Sequence, residues 1–202
     1  MNQIVSFAVQ IIIPKFLADG EVRIAVMPYT KGYGTREAYT TTRVPVETGK
    51  TGETVLVTAM RGAGEEVAKN KTNFEVKVLG MAYAQLGTDQ FDPKGLHAKI
   101  AMVMQHVHGE LRNEGKQDDE NADEFHGPME WVEAKALLKN ERLGAPKLIF
   151  AHALSITAFL RLMANRPEMK AVAERYHPIL DLQGKCLTVE ESTAVRALVN
   201  KK

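Results

Sequence analysis

The sequence predicts an α+β protein: an N-terminal antiparallel β-sheet or small barrel of about five strands, followed by a C-terminal bundle of four to five α-helices. Three observations predict it. Short runs rich in β-branched residues fill the first part of the chain, Gly and Pro punctuate those runs, and beyond residue 93 the apolar spacing changes to three and four.

The strand assignments follow in order. "QIVSFAVQIII" (3–13) ends at Pro14, and "EVRIAVM" (21–27) alternates and stops at Pro28. "REAYTTTRVPVE" (36–47) is Thr-rich with Pro45 inside, which suits an edge strand. "ETVLVTAM" (53–60) and "NFEVKVLGMAYA" (73–84) complete the set. An OB-like barrel is one topology such spacing allows. The helical assignments begin at Asp92-Pro93, a good N-cap and first-turn pair, with Leu96, Ile100, Val103, Val107 and Leu111 as one apolar stripe. Residues 115–127 are acidic and aperiodic, and read as a loop. Pro128 opens a second helix with Trp131, Ala134, Leu137 and Leu138 inward, Pro146 a third, residues 167–177 a fourth, and Thr188 caps a last one. The division expected is a β-rich half over residues 1–86, carrying a long hairpin, and an α-helical half over 93–202, with one shared core as an alternative.

Composition excludes little. Lys and Arg number 26 against 25 Asp and Glu, for a net charge of +1, so any pull on nucleic acid has to come from a local patch. A single cysteine, Cys186, rules out an internal disulfide and suits a cytoplasmic protein. The amino-terminal stretch has no basic leader or small-residue cleavage site and reads unlike a signal peptide, and the apolar run 148–160 is too short for a membrane span. No membrane partner and no cofactor are expected.

Gly49-Lys50-Thr51 closes a phosphate-binding P-loop, but the first glycine of that motif would fall at position 44, which is Val44. The following residues look like a strand, so a hairpin turn is expected and no nucleotide is. His106, His108, Asp118, Asp119 and His126 offer a metal-ligand set for a hydrolase, although the helical metal spacing His-x-x-x-His is absent. His152 sits on an apolar face, where a hydrogen-bonded structural role is expected. Cys186, beside Lys185, is a candidate nucleophile.

The stretch 27–43 is the strongest functional lead. Tyr29, Tyr33 and Tyr39 alternate with Lys31, Arg36 and Arg43 around a Gly-rich tip, and Lys50 and Arg61 come from neighbouring turns. Aromatic faces and cations together suit a protein hot spot or single-stranded nucleic acid. Because no complete catalytic constellation is visible, the expectation is a non-catalytic binding or assembly protein. Its partner would be another protein or a second copy of itself. Single-stranded nucleic-acid binding and a metal-dependent hydrolase near residues 106–126 are the alternatives.

Overall fold

The protein is described from a computed structural model, which covers residues 4–88, 96–118, 121–142 and 144–185. Ten strands and four α-helices make up these residues. The first sheet joins β1 (Ile4–Ile12), β5 (Val46–Thr48), β6 (Glu75–Thr88) and β7 (Leu96–His108) in the order β5-β1-β7-β6. Strands β1 and β7 run parallel, and the other neighbours antiparallel. The second sheet is built on β3 (Val22–Lys31), paired with β2 (Pro14–Phe16), β4 (Tyr39–Arg43), β9 (Glu124–His126) and β10 (Glu130–Glu133), and β8 (Lys116–Gln117) pairs with β9. The helices are α1 (Val55–Gly62), α2 (Ala134–Lys139), α3 (Phe150–Ala164) and α4 (Lys170–Lys185).

A strand's side chains alternate between faces, and that alternation sorts the core into two layers. On β1, Ile12 joins one apolar cluster while Val9 and Ile11 join the other. On β3, Val22, Ile24 and Val26 face the first cluster, whereas Ala25 and Met27 face the second. On β7, Ala101 and Val103 go one way, Met102 and Met104 the other. The first cluster is covered by α2, α3 and α4, through residues such as Leu137, Phe159 and Tyr176. The second is covered by α1 and the π-helical turn Ala63–Val67 that continues it, through Ala59, Ala63 and Val67.

This overturns the expected barrel followed by a helical bundle. The apolar stripe of Leu96, Ile100, Val103 and Val107 is a strand: Ile100 and Val103 belong to an unbroken apolar run, Ile100–Met104, whose residues from Ala101 onward are buried on both faces between β1 and β6. In such a run the three-and-four spacing is incidental. "VLVT" is helix despite its β-branched residues. The Thr54 side chain caps it by accepting from the Val57 N–H at 3.3 Å, and its inner face is small. Gly62 marks a tight approach: a Cβ there would stand 2.6 Å from Ile11 Cδ1 and 2.7 Å from Glu47 Cβ. Tertiary packing outweighs the weak local preference. The expected loop at 115–127 holds the β8–β9 hairpin, and Trp131 lies on β10 rather than on a helix. Pro178 does not stop the fourth helix, and Cys186 and the Thr188 cap fall outside the described residues. No helix among the described residues is long and apolar enough to cross a membrane.

Tyr176 ties the helical layer to β3. Its buried hydroxyl accepts from Val22 N at 3.0 Å and donates to Val22 O at 3.2 Å. Tyr176→Phe is expected to lower unfolding stability by about 1–3 kcal/mol, since two buried backbone groups lose a partner. Urea denaturation with an unchanged m-value measures it.

Candidate functional site

The chain's charges nearly cancel as a sum, at +1, yet its charged groups gather in one place. A cavity of about 760 Å³ opens where the edge of the first sheet and α1 meet the second sheet, lined from β3, β4, β5, the turn after α1 and the β8–β9 hairpin. Lys116 and Asp118, then Glu124 and His126, are two apart on antiparallel segments, so all four face the cavity.

Glu66 forms one wall. It is 6% exposed, accepts from Lys116 Nζ at 2.6 Å, and meets His126 Nδ1 at 2.8 Å. Burial pushes its carboxyl up, but the hydrogen bonds and charges of His126 and Lys116 outweigh that and hold it below the ordinary value. Because a carboxylate only accepts, His126 Nδ1 carries a proton toward Glu66, and Nε2 turns to Asp118 Oδ2 at 3.8 Å. Asp118, Glu124 and His126 bring their ligand atoms within 4.8 Å of one another.

Arg61 braces the opposite wall. It pairs with Glu47 at 2.8 Å, Glu53 at 2.9 Å and Glu65 at 3.4 Å, and donates to Thr48 O. Hydrogen bonds from Arg61 and from the Lys50 backbone hold Glu53 down to about 2. Glu47 differs. Burial raises its carboxyl above the ordinary value in spite of Arg61. Arg43 lies with its guanidinium carbon 3.5 Å from the centre of the Tyr29 ring, a cation–π stack, and the Tyr29 ring in turn touches His126 at 5.4 Å between centroids. Burial, then a hydrogen bond with Glu124, push the Tyr29 phenol up.

Of the residues singled out in the sequence, the fold brings Tyr29, Lys31, Tyr39, Arg43, Lys50 and Arg61 to the cavity. Tyr33 stacks on Phe125 at 4.8 Å and Arg36 is exposed in the β3–β4 connection, neither of them lining it. Asp118 and His126 line it, whereas His106 and His108 sit on β7 away from it, bonded to Gly109 O and to Glu75 respectively. Asp119 lies outside the described residues. His152 is buried and accepts from Val44 N at 3.0 Å. Sequence reasoning missed Glu47, Glu65, Glu66, Lys116 and Glu124. The alternation Lys116-x-Asp118 and Glu124-x-His126 could have found the hairpin part, but nothing local points to Glu66.

Glu66 and Glu53 contribute stability fully present above the unfolded carboxyl value, about 4.3, and lost as pH falls through their folded values. For Glu53 that window reaches down to about 2. Glu47 has the opposite sign and gains as it protonates. Urea midpoints taken between neutral and strongly acidic pH should therefore fall below the unfolded carboxyl value, and Glu66→Gln should flatten that limb.

No protein-family model matches the chain, and no curated protein matches it at a significant level. Solved structures do. The E. coli ORF135 protein is 18% identical with a TM-score of 0.52, over 80% of this chain and 93% of that one. A protein described as a NUDIX hydrolase from Listeria monocytogenes is 13% identical with a TM-score of 0.54, over 79% and 95%. An Ap4A hydrolase from C. elegans is 12% identical with a TM-score of 0.50, over 80% and 100%. These likenesses correct the expectation of a non-catalytic binding or assembly protein with a protein or nucleic-acid partner. Two of the five cations expected to form a recognition surface are neutralised inside the cavity, Lys31 by Glu124 at 2.6 Å and Arg61 by three glutamates, and Arg36 lies away from the others. The exclusion of a nucleotide also falls. It rested on one failed phosphate-binding motif, and an Ap4A hydrolase is among the proteins of this architecture. The turn at Gly49-Lys50-Thr51 leads into a helix, not into the second strand of a hairpin. The chain has a mixed α/β, Nudix-like fold.

Proposed function

We propose that the protein is a metal-dependent hydrolase that cleaves a phosphoanhydride bond of a nucleotide in this cavity. The observation that carries the reading is the convergence of Asp118, Glu124 and His126 on a cavity wall that faces cations. Two carboxylates and an imidazole suit a divalent ion such as Mg²⁺, Mn²⁺ or Zn²⁺. The donor set fits one for a further reason. With Nδ1 donating to Glu66, His126 turns Nε2 to the Asp118 carboxylate 3.8 Å away, so that an arriving cation displacing any Nε2 proton would find both atoms placed as its ligands.

A divalent ion bound there would polarise a phosphoryl oxygen and acidify a bound water. The chain's own groups supply the rest. Glu66 orients His126, and Lys31 and Tyr29 orient Glu124. Glu47, which lines the same cavity, is fixed there by Arg61 at 2.8 Å and has its carboxyl kept above the ordinary value by burial, is the group we assign to take the proton of the attacking water. The water oxygen bonds to phosphorus as the bridging P–O bond breaks, and the leaving phosphate carries away the bridging oxygen. The nucleotide is chosen because an Ap4A hydrolase shares the fold. A reducing, cytoplasmic setting is part of the same reading, on the strength of the single Cys186.

Mn²⁺ or Mg²⁺ at a hundred times its dissociation constant is expected to stabilise the protein by about 2.7 kcal/mol, and Asp118→Asn with Glu124→Gln to abolish that shift. Glu66→Gln should weaken metal uptake roughly ten- to a hundredfold. Glu47→Gln should leave uptake unchanged and slow release of product from diadenosine polyphosphate about 10²–10⁴-fold. If none of Mg²⁺, Mn²⁺ and Zn²⁺ moves the melting temperature and no product appears, the reading is wrong.

A further inference from the structure

The cations that line the cavity fall into two groups. Lys31, Arg61 and Lys116 are each held by a glutamate at 2.9 Å or less. Arg43 and Lys50 make no close ion pair with a carboxylate among the described residues, and Arg43 feels Glu124 only at longer range. Arg43 is half-buried, its Nε is out of solvent without a hydrogen-bond partner, and its flat group is pinned against the Tyr29 ring at 3.5 Å. Removing a charge from water without giving it a counter-ion is costly, and the cost is recovered when a ligand brings the negative charge. A guanidinium held flat by an aromatic ring offers a fixed fork of N–H donors, which suits the paired oxygens of a phosphate. Lys50, on the turn before α1, adds a second unneutralised charge at the same cavity.

We infer that Arg43, stacked on Tyr29 and assisted by Lys50, forms an anion subsite that takes a phosphate group of the substrate independently of the metal cluster. Tyr29 places the two next to each other, since its ring touches both Arg43 and His126. Arg43 is thus a binding and specificity residue. It rests on the hydrolase reading for what the bound phosphate is attached to, but not for the anion binding itself.

The test separates the two. Methylenediphosphonate, a pair of phosphonates that hydrolysis cannot cleave, is titrated into the full chain with EDTA present, and its binding is followed by calorimetry. Binding to the wild type is expected, weakened roughly ten- to a hundredfold in Arg43→Ala, as for loss of charge-assisted hydrogen bonds. Arg43→Lys should be weak as well, because it keeps the charge but loses the fork and the stack. Lys50→Ala, at an exposed position, should weaken binding while leaving the melting temperature unchanged, which keeps the inference testable if Arg43 variants fold poorly. Equal binding by wild type, Arg43→Ala and Lys50→Ala, or no metal-free binding by the wild type, overturns the subsite. Arg43-dependent binding without any metal-dependent hydrolysis would leave the subsite standing and remove the hydrolase reading.

Discussion

A carboxylate buried where a helix meets a sheet has to be answered by positive charge or hydrogen bonds, and the cavity is organised around the way Glu66 is answered. Its two oxygens face two different partners, Lys116 on β8 and His126 on β9. Glu66 itself belongs to the continuation of α1, which packs on the first sheet, while β8 and β9 belong to the second. One charged group therefore ties the two layers together at the cavity wall. Arg112 repeats the tie through the backbone, donating from one guanidinium to Glu66 O at 3.2 Å and to Gly127 O at 3.2 Å. Losing Glu66 would leave a buried imidazole without its acceptor and would loosen the hairpin that carries Asp118 and Glu124.

The same accounting explains how a chain of net charge +1 can hold a strongly charged site. Opposite charges are placed against each other at short range, so the sum is silent while the local field is large. Arg61 is fully engaged with the carboxylates around it and acts as a brace for that wall. Charges balanced in this way do not reach out to a polyanion. A small anionic molecule that enters the cavity is another matter, because it meets the two cations that the protein leaves unbalanced.

Legibility in the sequence followed the range of the interactions. β1, β3 and β6 could be read because their alternation and their Gly or Pro ends are local, and α3 because its apolar run is long. β7 could not, since its strand character comes from a parallel pairing with β1, just over ninety positions earlier in the chain, and burial on both faces hid its period. α1 was hidden by the opposite effect, β-branched residues made helical by a cap and a tight approach to Ile11. For the site, Tyr29, Lys31, Arg43, Asp118 and His126 stood out by type, but Glu66 and His126 are 60 residues apart and only the fold makes them a pair.

The placement of Arg43 shows how the helical layer bears on the site. Thr42 and Val44, its neighbours, point into the protein, where both are buried. The Thr42 hydroxyl donates to Pro146 O at 2.5 Å, its amide donates to Lys147 O at 2.8 Å, and its carbonyl accepts from Ile149 N at 3.2 Å. The Val44 amide is taken by His152 Nδ1. An acceptor at that place has to be neutral, and it is: burial, with Arg43 and Lys99 nearby, pulls the His152 pKa down to about 3. A protonated imidazole could not accept the Val44 hydrogen bond and would add a second positive charge beside an unbalanced guanidinium. By staying neutral, His152 fastens the strand without competing for the anion that Arg43 is positioned to take. The period of two then does the rest, because a strand clamped through residues 42 and 44 can only turn residue 43 toward the cavity.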